Sequence, residues 1–122
     1  MKAYTSLEQS KKLAEILPLE SADMFYNYKD IDVKLMWEHN AQKVTTPCWS
    51  LAALLGVLPT TIGNFFEKNA LRLRMDKGEN DFNIWYENFD CGDVAEGLDA
   101  KEDNPVDACV DMIIKLHELN LL

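Results

Sequence analysis

Apolar positions along the chain fall into helix-like and strand-like periods that alternate. Leu7, Leu13, Ala14 and Leu17 recur at helical spacing, with Glu8, Lys11, Lys12 and Glu15 on the other side. This predicts an amphipathic helix near residues 5–17. Ser6 and Gln9 stand three apart, the spacing of a capping box, and Pro18 stops the helix. Ile31-Asp32-Val33-Lys34-Leu35 alternates with period two and predicts a half-buried strand near 31–37. The most apolar run, Thr46-Pro47-Cys48-Trp49-Ser50-Leu51-Ala52-Ala53-Leu54-Leu55-Gly56-Val57-Leu58-Pro59, reads as a core helix near 46–58. Thr46 would be its N-cap and Pro47 its first residue. With almost no polar side, it would pack on more than one face.

Leu71-Arg72-Leu73-Arg74-Met75 alternates strictly. Asp76 to Asp81 is turn chemistry, and Phe82-Asn83-Ile84-Trp85-Tyr86 alternates again. The two runs predict a β-hairpin near 70–87. Leu71, Leu73, Met75, Phe82, Ile84 and Tyr86 would face the core, and Trp85 would point outward. Residues 88–104 are acidic and Gly-containing, the signature of a solvated, mobile loop. Asn104 as N-cap, Pro105 in the first turn and Asp107 near the positive end of the helix dipole start a last helix, near 105–119. Val106, Cys109, Val110, Ile113 and Leu116 would mark its buried face, with His117 either at its edge or facing solvent. The expectation is one α+β domain over residues 1–122, three helices packed on a small antiparallel sheet containing the hairpin.

Charge narrows the partners. A net charge of −9 with 48% hydrophobic residues describes a soluble globular chain. It argues against binding a nucleic-acid backbone directly and against docking on an anionic membrane. No stretch is long enough to span a bilayer and no apolar leader follows Met1. Three cysteines, odd in number and widely spaced, read as free thiols in a reducing compartment, so the expected location is cytoplasmic.

Candidate chemistry is sparse. Cys48 in the first turn of a helix would have a lowered thiol pKa, and His39 is near it in sequence, so a thiol nucleophile is one reading. The competing and heavier reading is a structural cysteine beside Trp49. No metal site is expected: there is no C-x-x-C and no H-E-x-x-H, and Cys109 and His117 are two helical turns apart. The acidic block lacks EF-hand spacing. No phosphate-binding loop or dinucleotide fingerprint occurs, so no cofactor is expected. Trp85 is the best candidate for an exposed contact residue, with Asp90, Asp93 and Glu96 beside it in sequence.

Four segments carry a resemblance: Tyr4 to Leu13, Ser21-Ala22-Asp23-Met24, Pro47 to Leu55, and Asp107 to Glu118. In these the chain resembles a group of short uncharacterised proteins of Bacteroides-type gut bacteria and their phages or mobile elements. The resemblance implies a cytoplasmic bacterial protein in a mobile-element context and carries no site residue. Three functions stay open. The leading one is a non-catalytic protein-interaction or accessory protein with an unknown protein partner, a homodimer being one form of it. The others are an acidic mimic of DNA that inhibits a nucleic-acid-binding protein, and a cysteine-dependent enzyme using Cys48.

Overall fold

The computed structural model describes residues 2–26, 33–35, 46–63 and 69–122, with only the backbone of 33–35. Trp37, His39, Phe65 and Phe66 lie outside the described residues, as do the ends of the strand expected over 31–37. The class is α+β, in two compact units, residues 1–57 and 58–122.

The first unit opens with α1 (Leu7–Ala14), which starts at the expected cap. Ser6 Oγ accepts from the Gln9 amide at 3.1 Å, and Gln9 Oε1 accepts from the Ser6 amide at 3.0 Å. Such a cap contributes about 1 kcal/mol. Leu13 is fully buried from this helix. A 3₁₀ turn at Leu19–Ser21 follows. Strands β1 (Met24–Tyr26), β2 (Val33–Leu35) and β3 (Thr46–Cys48) form an antiparallel sheet in the order β2-β1-β3. Val33–Leu35 is thus a strand as expected, but in a different sheet from the hairpin.

Residues 46–48 are strand rather than the start of a helix. Pro47 pairs with Phe25 on an edge strand, where a missing N–H is tolerated. Helix α2 covers only Leu51–Val57. Its start is fixed by Ser50, whose hydroxyl accepts from the Ala53 amide at 3.2 Å. Asp23 holds Ser50 through both its amide (2.9 Å) and its hydroxyl (2.5 Å). Nor is α2 buried all round: Leu54 is inaccessible, while Ala52 and Leu55 are exposed. The buried centre of this stretch is instead Cys48-Trp49, just before the helix. Thr5 donates its amide to the Trp49 carbonyl at 3.0 Å, and Trp49 Nε1 donates to Ser21 Oγ at 3.0 Å.

The second unit is an antiparallel sheet in the order β4-β5-β6-β7, formed by β4 (Thr61–Ile62), β5 (Leu71–Lys77), β6 (Phe82–Asn88) and β7 (Val94–Glu102). The hairpin β5–β6 has the expected place, closed by Gly78 N–H to the Asp81 carbonyl at 2.9 Å. The acidic segment is not a loop. Asn88 organises a tight turn by accepting the Asp90 and Cys91 amides on its side chain, and Gly92 turns the chain with φ +74°. The chain then returns as β7. There Leu98 and Ala100 are buried and Asp99 and Lys101 are exposed, a two-residue alternation that an acid count hides.

Helix α3 (Pro105–Glu118) packs on β6 and β7. Asn104 Oδ1 accepts the Asp107 amide at 2.9 Å, as its sequence predicts. Val106, Cys109, Met112, Ile113 and Leu116 are inaccessible and cover Ile84, Tyr86, Leu98 and Ala100. Each such aliphatic side chain contributes about 1.5–3 kcal/mol by burial. Of the two placements open to His117, the structure has the solvent-facing one. The helix ends in a Schellman motif. Asn120, at φ 58°, donates to the His117 carbonyl, and Leu121 donates to Leu116 at 2.8 Å. No helix among the described residues is long and apolar enough to cross a membrane.

Candidate interaction surface on the four-stranded sheet

With α3 on one face of the sheet, strand alternation sends every second residue of β5, β6 and β7 to the opposite, outer face. Ile84 and Tyr86 point to the helix, so Asn83, Trp85 and Glu87 point away. Cross-strand register arranges the outer face in rows. One row is Arg74–Trp85–Asp99, the next Asp76–Asn83–Lys101, and the third Arg72–Glu87–Val94. Trp85, half-buried, borders an open depression of about 270 Å³ that is also lined by Asn83, Val94, Asp99 and Lys101.

Glu87 is the electrostatic hub of this face. Its Oε1 accepts from Arg72 Nε at 2.8 Å and lies 3.5 Å from Arg74 Nε, while Oε2 accepts from Trp85 Nε1 at 3.4 Å. The Arg72 hydrogen bond, aided by Trp85 and both guanidinium charges, holds the Glu87 carboxyl below the usual range. The Arg72 guanidinium also lies 5.6 Å from the centre of the Phe89 ring. Lys101 pairs with Asp81 at 3.3 Å. Arg72, Arg74 and Lys101 thus share the face with Asp76, Glu87 and Asp99, and the six formal charges cancel. This contrasts with the surrounding segment, since residues 58–122 hold fourteen acids against six bases and residues 1–57 seven against six.

The acid excess collects elsewhere. Glu102, at the end of β7, has carboxylate oxygens within 4.8 Å of those of Asp103 and Asp107 at the start of α3. One divalent cation could bridge oxygens so spaced, but the first turn of α3 already accounts for the arrangement. Asn104 Nδ2 donates to both Asp103 and Asp107, and the helix dipole favours their charge. A hydrogen bond to Asp111 and the charge of that residue, helped by Asp107 and Asp103, push Glu102 up to about 7.

The thiols behave otherwise than a helix-start reading requires. Cys48 lies on β3, fully inaccessible. Its Sγ donates to the Thr5 carbonyl at 3.6 Å and accepts from Thr5 Oγ1 at 3.5 Å. Burial pushes this thiol up, against the smaller lowering by Thr5 and Ser10. A thiol at a helix N-terminus would shift the other way, so Cys48 lacks the expected activation. Burial likewise raises Cys109 to about 12. Cys91 is exposed on the turn after β6.

Of the residues marked in the sequence, Trp85 is on the outer face as expected. Asp90 and Asp93 sit on the turn beyond β6, and Glu96 is on β7 near Gly97; all three are exposed and none lines the depression. Sequence reasoning missed Arg74 and Glu87, whose signal was the polar half of the hairpin alternation. Asp99 and Lys101 carry no such signal, because the acid-rich composition of 88–104 points to a loop. Comparison with family models, curated proteins and solved structures returned no match.

Proposed function

We propose that this chain is a small, non-catalytic protein-interaction or accessory module, and that the outer face of its four-stranded sheet is the binding surface. The observation that supports this is the setting of Trp85. An aromatic side chain lies beside an open depression, inside a charge-neutral patch of an otherwise acidic segment. Such a residue, rimmed by Arg and acidic side chains, has the composition of an interface centre. The buried, up-shifted Cys48 lends no support to thiol catalysis. A cytoplasmic, bacterial mobile-element setting agrees with this reading and rests on the resemblance in sequence.

A pull-down of tagged protein from native host lysate, read by mass spectrometry, tests the reading. Trp85→Ala should lose the partners that wild type retains, with unchanged circular dichroism. If Trp85→Ala keeps every partner, the reading is wrong. A second reading, acidic mimicry of nucleic acid, is favoured by one observation: most of the acidic segment is strand β7 rather than a loop. Partners that ignore Trp85→Ala and leave at moderate salt would support it.

A further inference from the structure

Rows Arg74–Trp85–Asp99 and Asp76–Asn83–Lys101 share a property that a generic binding surface does not need. Each has opposite charges at its two ends, and the polarity reverses from one row to the next. Neighbouring strands are ~4.8 Å apart, so the charges of a row stand about 10 Å apart with β6 at the middle. Consider a two-fold axis above Trp85, parallel to β6. It exchanges the ends of each row and turns a second face onto the first. Arg74 then meets Asp99 of the other copy, Asp76 meets Lys101, and Trp85 meets Trp85. A two-fold axis through Trp85 but perpendicular to the strands would instead set Arg74 against Arg74 and Asp99 against Asp99. Self-complementarity about an axis through Trp85, with no net charge on the face, picks out the occupant.

We infer that the outer face of the four-stranded sheet docks a second copy of this chain, forming a two-fold, face-to-face sandwich centred on Trp85. This inference rests on the interaction reading above and names the partner for the same surface. The sheets pack about 10 Å apart, a distance that arginine, lysine and tryptophan side chains span. Arg74, Asp76, Asp99 and Lys101 are all exposed and available. Lys101 has Asp81 as a competing partner, and Arg74 has Glu87. Two Glu87 side chains approach each other across the axis, each offset by its own Arg72. The patch covers three strands, small against the ~1,200 Å² of a stable interface, so the dimer is a weak, reversible one.

The test uses purified full-length chain in sedimentation velocity, from low-micromolar to near-millimolar concentration. Wild type should show a reversible monomer–dimer equilibrium. Arg74→Asp alone puts acids at both ends of its row, and Asp99→Arg alone puts bases there. Each should weaken the dimer roughly tenfold, since two ion pairs per dimer turn repulsive. Mixing the two single variants should restore dimerisation, because every cross-axis pair is again of opposite sign. An effect within one chain cannot produce that rescue. Asp76→Lys mixed with Lys101→Asp repeats the logic in the second row, should either first variant misfold. A monomeric wild type, or a mixture that stays monomeric while each variant is folded, overturns the inference. If wild type is monomeric yet Trp85→Ala still strips partners in the pull-down, the self-docking inference fails and the interaction reading stands.

Discussion

The joint between β7 and α3 should make this protein more stable in mild acid than at alkaline pH. In the folded chain Glu102 is surrounded by Asp103, Asp107 and Asp111, and its carboxyl is pushed up from 4.5 to about 7, chiefly by the Asp111 hydrogen bond. In the unfolded chain these acids separate and Glu102 titrates at its ordinary value. The folded state therefore prefers the protonated carboxyl. Stability from this group is fully present below about 4.5 and is lost as pH rises through about 7. The shift would be worth about 3 kcal/mol in an unscreened site. This corner is open to solvent, and screening reduces the expectation to about 1 kcal/mol. Glu87, shifted the opposite way, loses its contribution only as pH falls below its ordinary range, so the two windows do not overlap.

Urea unfolding by circular dichroism at pH 5.5 and pH 8.5, at low salt, measures the effect. Wild type should be about 1 kcal/mol more stable at the lower pH. Glu102→Gln should raise stability at pH 8.5 and flatten the difference. A wild type whose stability rises between these pH values would refute the reasoning, and so would a Glu102→Gln variant that keeps the full pH dependence.

Three further outcomes follow from burial and backbone geometry. In native protein, maleimide should label Cys91 fast, while Cys48 and Cys109 should react only on unfolding; mass spectrometry of a time course reads this, and early labelling of Cys48 would contradict its burial. Gly97→Ala should cost about 1 kcal/mol of stability, read as a lower urea midpoint, because φ +80° is costly with a Cβ although the space is open. Gly56→Ala, in a helix with nothing within 4 Å of the added methyl, should instead gain about 0.5–1 kcal/mol.

How much was legible depended on whether the deciding contacts were local. Ser6 with Gln9, Asn104 with Asp107, and the hairpin over 71–88 all rest on groups close in the chain or on strict alternation. Their physics is written within a few residues, so the caps, the hairpin and the outward face of Trp85 could be read directly. Pro47 and Cys48 could not. Their local signals suit a helix start, but strand pairing with Phe25 and Met24 and the Thr5–Trp49 bond hold them extended. Asp23 then moves the helix start to Ser50.

The acidic stretch failed for a related reason. Acid-rich composition predicts solvation when a segment stands alone, yet ladder pairing with β6 and burial of Leu98 and Ala100 together hold this one as a strand. With β7 unread, Asp99 and Lys101 had no strand to place them beside Trp85. The sequence by itself determined the α+β class, the caps and the polarity of the hairpin, because periodicity and capping act over one or two turns. Which charges share a row, and that the rows alternate in sign, was decided only by strand register. Register couples residues as far apart as Arg74 and Asp99 through backbone hydrogen bonds that no local pattern encodes.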